Sequence, residues 1–285
     1  DVTWRVNFDY TPLDNILMYL SATTGYRAGG FNLGYFSPFP TYDQEEVVST
    51  EFGYKGSHLD NTLQINASIY KYSYENIHGQ FVTQSFLGGT GTSVQGFPEA
   101  DTNGVEFDFI YSPTADLLIG GNASYTDASY SEEYVQPNGL MGVIDENNPY
   151  APTSIYTIPE RTVPMNGLQM LRIPKSKMAF YANLTKDAFG GTVDYLITYS
   201  WTDAINWDDS QLALDRSPQF DRMDFKVSWR NNTEDLEVMA FINNIQDKVG
   251  VRNMTSDGEQ LAYQRSVTPT LPRMAGIGFT YKFSQ

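Results

Sequence analysis

The chain has 285 residues and no cysteine, with 18 basic against 34 acidic side chains and a net charge of −16. That acidity argues against a nucleic acid or an anionic membrane surface as partner, since both bind through basic patches, and without thiols there is no disulfide framework or thiolate metal site. No apolar run reaches the ~18 residues of a membrane helix, which excludes a helical membrane protein, while 20 Tyr, 17 Phe and 4 Trp suit β-strands and membrane interfaces.

The chain opens in strand-like sequence, as expected of a mature fragment or an excised piece. Val2, Trp4, Val6, Phe8 and Tyr10 alternate with Thr3, Arg5, Asn7 and Asp9, and a turn follows at Thr11 to Asn15. Ile16 to Thr24 reads as the returning strand, but Ile16 to Leu20 is continuously apolar and its faces stay unassigned. After a loop at about 25–44, Val48, Thr50, Phe52 and Tyr54 oppose Ser49, Glu51 and Gly53. The short turn Gly56 to Asn61 leads into Leu63, Ile65, Ala67 and Ile69. Tyr70, Tyr72 and Tyr74 fit either a polar interior or an interfacial girdle. A Gly-rich aromatic loop is expected at about 76–101, then Val105, Phe107, Phe109 and Tyr111, a turn at Ser112 to Asp116, and a return from Leu117 to Asp127.

The longest loop, about 128–173, holds Pro137, Pro149, Pro152, Pro159 and Pro164, which oppose a long helix or a central strand. Met178 to Thr185, a turn at Asp187 to Gly191 and Val193 to Trp201 repeat the pattern, followed by a loop at about 202–219. In the next strand Met223, Phe225, Val227 and Trp229 share one face, and Arg222, Asp224, Lys226 and Arg230 the other. Leu236 to Asn244, a loop at about 245–271 and a closing strand from Met274 to Phe283 complete the chain.

A secreted β-sandwich also alternates, but three features favour an all-β transmembrane antiparallel barrel. Strands reach ~9–11 residues, short turns and long loops alternate strictly, and Tyr54, Tyr111, Trp201 and Trp229 sit at strand ends. About eleven strands are present, whereas single-chain bacterial barrels close with an even number. The expectation is therefore the C-terminal part of a larger barrel over residues 1–285.

Five stretches carry a family resemblance in this order: Thr24 to Asn32 (TGYRAGGFN), Glu51 to Gly56 (EFGYKG), Asn103 to Asp108 (NGVEFD), Asn243 to Lys248 (NNIQDK), and Pro272-Arg273 with the ending Tyr281-Lys282-Phe283. Together they resemble the C-terminal half of TonB-dependent outer-membrane receptors. The chain departs where Gln246 replaces the family's usual aromatic and where Ser284 and Gln285 follow the terminal Phe283.

The resemblance implies the last ~11 of about 22 strands, with the plug domain outside this chain. It implies a Gram-negative outer-membrane location and uptake of a scarce solute, chiefly a ferric siderophore or other iron chelate. The implied partners are outer-membrane lipid and lipopolysaccharide, the TonB energy-coupling complex acting through the plug, a small-molecule ligand and other outer-membrane proteins. A glycan importer of the same fold, and a non-transporting adhesin or assembly barrel, are the alternatives.

For ligand contact the residues singled out are Arg27, Phe31, Asn32, Tyr35, Phe36, Phe39 and Tyr42 in the first loop, and Phe81 and Phe86 in the second. Rings stack on a sugar, a catechol or a haem-like group while Arg27 meets an anion. The competing reading makes Gly29 to Asn32 a loop-shaping element. Asp203, Asp208, Asp209, Asp145 and Glu146 lack the spacing of a calcium loop, and His58 and His78 lie too far apart in the pattern to share a metal. No cofactor, metal site or catalytic constellation is expected, so an enzyme is not.

Overall fold

Side chains that alternate in polarity with period two fit a sheet whose faces meet different surroundings. In the computed structural model of the chain, eleven such segments join one antiparallel sheet. The structure describes residues 2–32, 40–84, 90–131, 135–137, 162–208, 213–256 and 265–283. No helix among them is long and apolar enough to cross a membrane.

β1 (Arg5–Leu13) turns at Asp14 and Asn15 into β2 (Ile16–Arg27). The connection onward carries a small pair, β3 (Gly30–Phe31) with β4 (Thr41–Tyr42), before β5 (Glu45–His58). β6 (Leu63–Gln84) and β7 (Thr90–Thr114) form the longest hairpin, and β8 (Leu117–Tyr130) follows. β9 (Val135–Pro137) pairs with β10 (Thr162–Pro164) in the next connection. β11 (Ser176–Ala188) and β12 (Gly191–Thr202) come next, and then β13 (Ile205–Asn206) against β14 (Arg216–Ser217). β15 (Phe220–Asn231), β16 (Leu236–Asn243), the hairpin of β17 (Val251–Ser256) with β18 (Arg265–Pro269), and β19 (Met274–Tyr281) end the chain. The large sheet runs β1-β2-β5-β6-β7-β8-β11-β12-β15-β16-β19, so each long strand pairs with its sequence neighbours. β1 and β19 stand at its two edges and are not paired with each other.

At the turn end, links are tight. Phe189 and Gly190 both have positive φ, 54° and 67°, the geometry that matches the right-handed twist of the strands it joins.

Register settles the faces. Phe8, Leu20, Phe52, Ile69, Val105 and Tyr125 lie opposite one another across β1, β2, β5, β6, β7 and β8, and all six side chains are exposed. On β19, Ile277 and Phe279 are 83% and 71% exposed. This apolar face is bounded at the loop end by ion pairs: Lys71 with Asp101 at 3.5 Å, Lys175 with Asp127 at 3.5 Å, and Lys248 with Asp221. The other face is polar and carries Glu51, Glu106, Asp108, Asp194, Arg222, Lys226 and Arg230 by the same alternation.

β2, whose faces periodicity left open, is assigned by this register. Tyr19 lies opposite Gly53 on the polar side, and Leu20 opposite Phe52 on the apolar side. The polar side also repeats a device, a ring lying over the glycine of the neighbouring strand. Tyr19 covers Gly53, Tyr70 covers Gly104, Tyr181 covers Gly120 and Phe241 covers Gly276, so closely that an added Cβ would collide with each ring. Glycine leaves room for such a ring to lie flat against the backbone.

One expectation is corrected. The segment expected as a loop at about 76–101 is largely paired strand, in unbroken register from Ile77 with Phe97 to Gln84 with Thr90. β6 and β7, at 22 and 25 residues, are about twice the ~9–11 residues that cross a bilayer. The glycines that weaken each strand alone are tolerated because the two pair locally with each other. The other connections also hold short paired segments, β3 with β4, β9 with β10, β13 with β14 and β17 with β18.

Candidate functional site

The loop end of β2, β5, β6 and β7 gathers the first set of singled-out residues. Arg27 ends β2 directly opposite Glu45, which begins β5. Its Nη1 lies 3.4 Å from Glu45 Oε2, and its side chain remains 67% exposed. The same Glu45 oxygen accepts the backbone N–H of His78 at 2.9 Å. His78 Nε2 lies 2.7 Å from the Asp43 carbonyl. A carbonyl only accepts, so the proton resides on Nε2. Tyr42 meets the His78 ring edge-on, with centroids 4.9 Å apart, and the His78 side chain is 6% exposed.

Asn32 ties this junction to the long hairpin. Its Nδ2 donates to the Val94 carbonyl at 2.9 Å, and its Oδ1 accepts the Val94 N–H at 2.8 Å. A side-chain amide thus takes the place of a strand partner for Val94, one of the ways in which an open edge is protected. Gly29 is required here, because an added Cβ would collide with the Tyr42 backbone carbonyl. The structure links Arg27 and Tyr42 through Glu45 and His78 and ties Asn32 to Val94. It engages Asn32 within the chain, leaves much of Arg27 accessible, and exposes Phe31 at 72%. Tyr35, Phe36, Phe39 and Phe86 lie outside the described residues, as does the side chain of Phe81, whose backbone pairs with Ser93.

A second group sits lower on the polar face. Tyr70 and Tyr72 stack with centroids 4.9 Å apart, and Tyr74 continues the array at 6.4 Å from Tyr72. The Tyr70 hydroxyl is 3.1 Å from Thr126 Oγ1. The Tyr19 hydroxyl donates to Glu51, and Lys55 Nζ sits 5.9 Å from the Tyr19 ring centroid. Sequence left the three tyrosines between two readings, and the register of Tyr70 with Gly104 places them on the polar side. Tyr19, Lys55 and Glu51 were not singled out. What reveals them is the pairing of a ring with a glycine one strand away, which only a known register exposes.

On β15, Arg222 pairs with Asp224 at 2.7 Å and Arg230 with Asp194 at 2.8 Å. His58 pairs with Tyr54 across 2.7 Å at the turn end, far from His78 along the strands. Asp145, Glu146 and Asp209 fall outside the described residues. Asp203 accepts the Ala204 N–H at 2.7 Å, and among the described residues no three His, Cys, Asp or Glu side chains gather as metal ligands. The arrangement offers a polar wall with rings laid flat, topped by a junction that presents a guanidinium and an exposed ring.

Residues 1–245 match the family model described as TonB dependent receptor-like, beta-barrel. Comparison with curated proteins gives no match. Among solved structures the chain is similar to the ferric yersiniabactin uptake receptor FyuA from Yersinia pestis, with TM-score 0.72, 13% identity, and 98% of this chain and 37% of that one covered. It is similar to the siderophore receptor PiuA from Acinetobacter baumannii, with TM-score 0.72, 18% identity and coverage of 99% and 36%. It is also similar to the copper transporter OprC, with TM-score 0.62, 14% identity and coverage of 98% and 39%. The chain thus spans under two-fifths of the length of each, and identities at this level show a shared fold.

Proposed function

Because this chain belongs to the family of TonB-dependent receptor β-barrels, and so to the outer membrane of a Gram-negative cell, we propose that it forms the C-terminal wall of an active importer. The cargo in this reading is a ferric siderophore or related iron chelate, and transport is driven by TonB through a plug domain. The observation that carries the reading is the division of the sheet into an exposed apolar face and a charged face of stacked tyrosines. Such a division suits a barrel wall with lipid on one side and a polar lumen on the other. Arg27 at the outer rim suits an anionic chelate, and FyuA and PiuA are by name siderophore receptors. The family's members are receptors and transporters, and the paired charges of the wall serve binding rather than catalysis.

A second reading, import of a glycan, is favoured by the exposure of Phe31, since aromatic faces stack on sugar rings. The test compares expression under iron starvation with expression on polysaccharide, together with uptake of labelled ferric chelates with and without TonB. Induction by iron starvation and TonB-dependent uptake are expected. Induction by polysaccharide alone would replace the iron reading with the glycan one, and no response to either would overturn both.

A further inference from the structure

Asp215 is a carboxylate with no exposed side-chain surface, and it lies in an outer connection rather than in the wall. Arg265, at the start of β18, grips it with two bonds, Nε to Oδ1 at 2.9 Å and Nη2 to Oδ2 at 3.4 Å. The Asp215 backbone is held as well, its carbonyl accepting the Trp207 N–H at 2.9 Å. Trp207 Nε1 donates to Ser217 Oγ at 2.9 Å. Arg172, from the connection before β11, stands 6.0 Å from the Trp207 ring centroid and donates its backbone N–H to Asn206 at 2.9 Å. A continuous chain of contacts thus crosses three connections that are remote in sequence.

The ion pairs on the apolar face, such as Lys71 with Asp101, are partly exposed on both sides and contribute little. The Asp215 end differs, because a carboxylate shut off from water meets its guanidinium with little screening, and breaking such a pair costs more than breaking an exposed one. We propose that the Asp215–Arg265 pair is a latch that makes the segment before β11, the β13–β14 pair and the β17–β18 hairpin move as one body over the mouth of the passage. The Arg172–Asn206 backbone bond and the Trp207 ring carry the segment before β11 along with the other two. A solute that displaces any one of the three displaces all of them.

The chain has no cysteine, so introduced pairs carry the only thiols in these 285 residues. Spin labels at Asn166→Cys and Val267→Cys, both exposed positions, report the separation between the first and third segments in the intact receptor in its membrane. Labels at Phe189→Cys and Glu234→Cys, in two tight turns, report whether the wall itself is intact. The parent is expected to give a narrow 166–267 distribution. Asp215→Asn and Arg265→Gln are each expected to broaden it about twofold, as freed loops sample more states, with the 189–234 distance unchanged. Trp207→Leu, which leaves the Arg172–Asn206 backbone bond in place, is expected to broaden 166–267 less than Asp215→Asn does while a 214–267 pair stays narrow. An unchanged 166–267 width in Asp215→Asn or Arg265→Gln, with the turn pair intact, overturns the latch. Should one variant also lose the turn pair, the other decides.

Discussion

An added methyl at Gly53 would collide with the Tyr19 ring, and the same holds at Gly104 for Tyr70 and at Gly120 for Tyr181. The ring must then leave the wall or the strands must part. Gly53→Ala is expected to destabilise the folded receptor by ~1–3 kcal/mol, as overpacking does, read by denaturant unfolding in lipid vesicles. At the β15–β16 turn the sign of a pH effect follows from local bonds. Hydrogen bonds first from the Thr233 hydroxyl and then from the Asn231 amide hold Asp235 below the usual carboxylate range. A group whose pKa is lowered on folding stabilises above its unfolded value and loses that contribution as pH falls through its folded value. The protection of amides in this turn, the intrinsic exchange rate divided by the observed rate at the same pH, is therefore expected to be flat from neutral pH down to about 4 and to fall below it. Asp235→Asn removes the step. Arg27, Asn32 and Tyr42 were picked out together; Arg27 and Tyr42 are linked through Glu45 and His78, whereas the bonding of Asn32 to Val94 depends on a contact 62 positions away.

Among the elements, β15 and β19 read directly from the sequence because each alternates without a break. β2 did not, since Leu17 and Tyr19 share the polar face with Ser21 while Met18 and Leu20 face outward. A continuous apolar run hides which half is which. The β6–β7 projection looks like a loop in sequence because its glycines, and Pro98, weaken strand propensity locally, whereas the pairing that overrides it is cross-strand. That projection leaves its sides open above the wall, and Asn32 covers one of them at Val94 while Glu45 covers the other at His78. Asn32→Ala removes two hydrogen bonds worth about 1 kcal/mol each. The Val94 amide is expected to exchange about tenfold faster by mass spectrometry, with β15 and β16 unaffected. No change at Val94 would mean that the hairpin holds itself.

Across the whole sheet, the two faces predict opposite tolerance to one substitution. Phe225 faces outward on β15, and Phe225→Arg is expected to cost ~2–4 kcal/mol, as a cation placed in hydrocarbon does. Thr198 lies one strand away on the polar face, opposite Asp224. Thr198→Arg there is expected to change stability by about 0.5 kcal/mol or less. Refolding yield into vesicles separates the two, and equal losses would mean that the faces are assigned wrongly. The two sides of the fabric were legible from period two alone, but its margins were not. β1 is exposed along all nine residues, and its outer row of amides and carbonyls, like that of β19, is bonded to nothing else in the described chain. Oil offers no substitute for those bonds. In the reading proposed above each of those two margins lies against a further strand of the same wall, so that no row of backbone groups is left facing hydrocarbon.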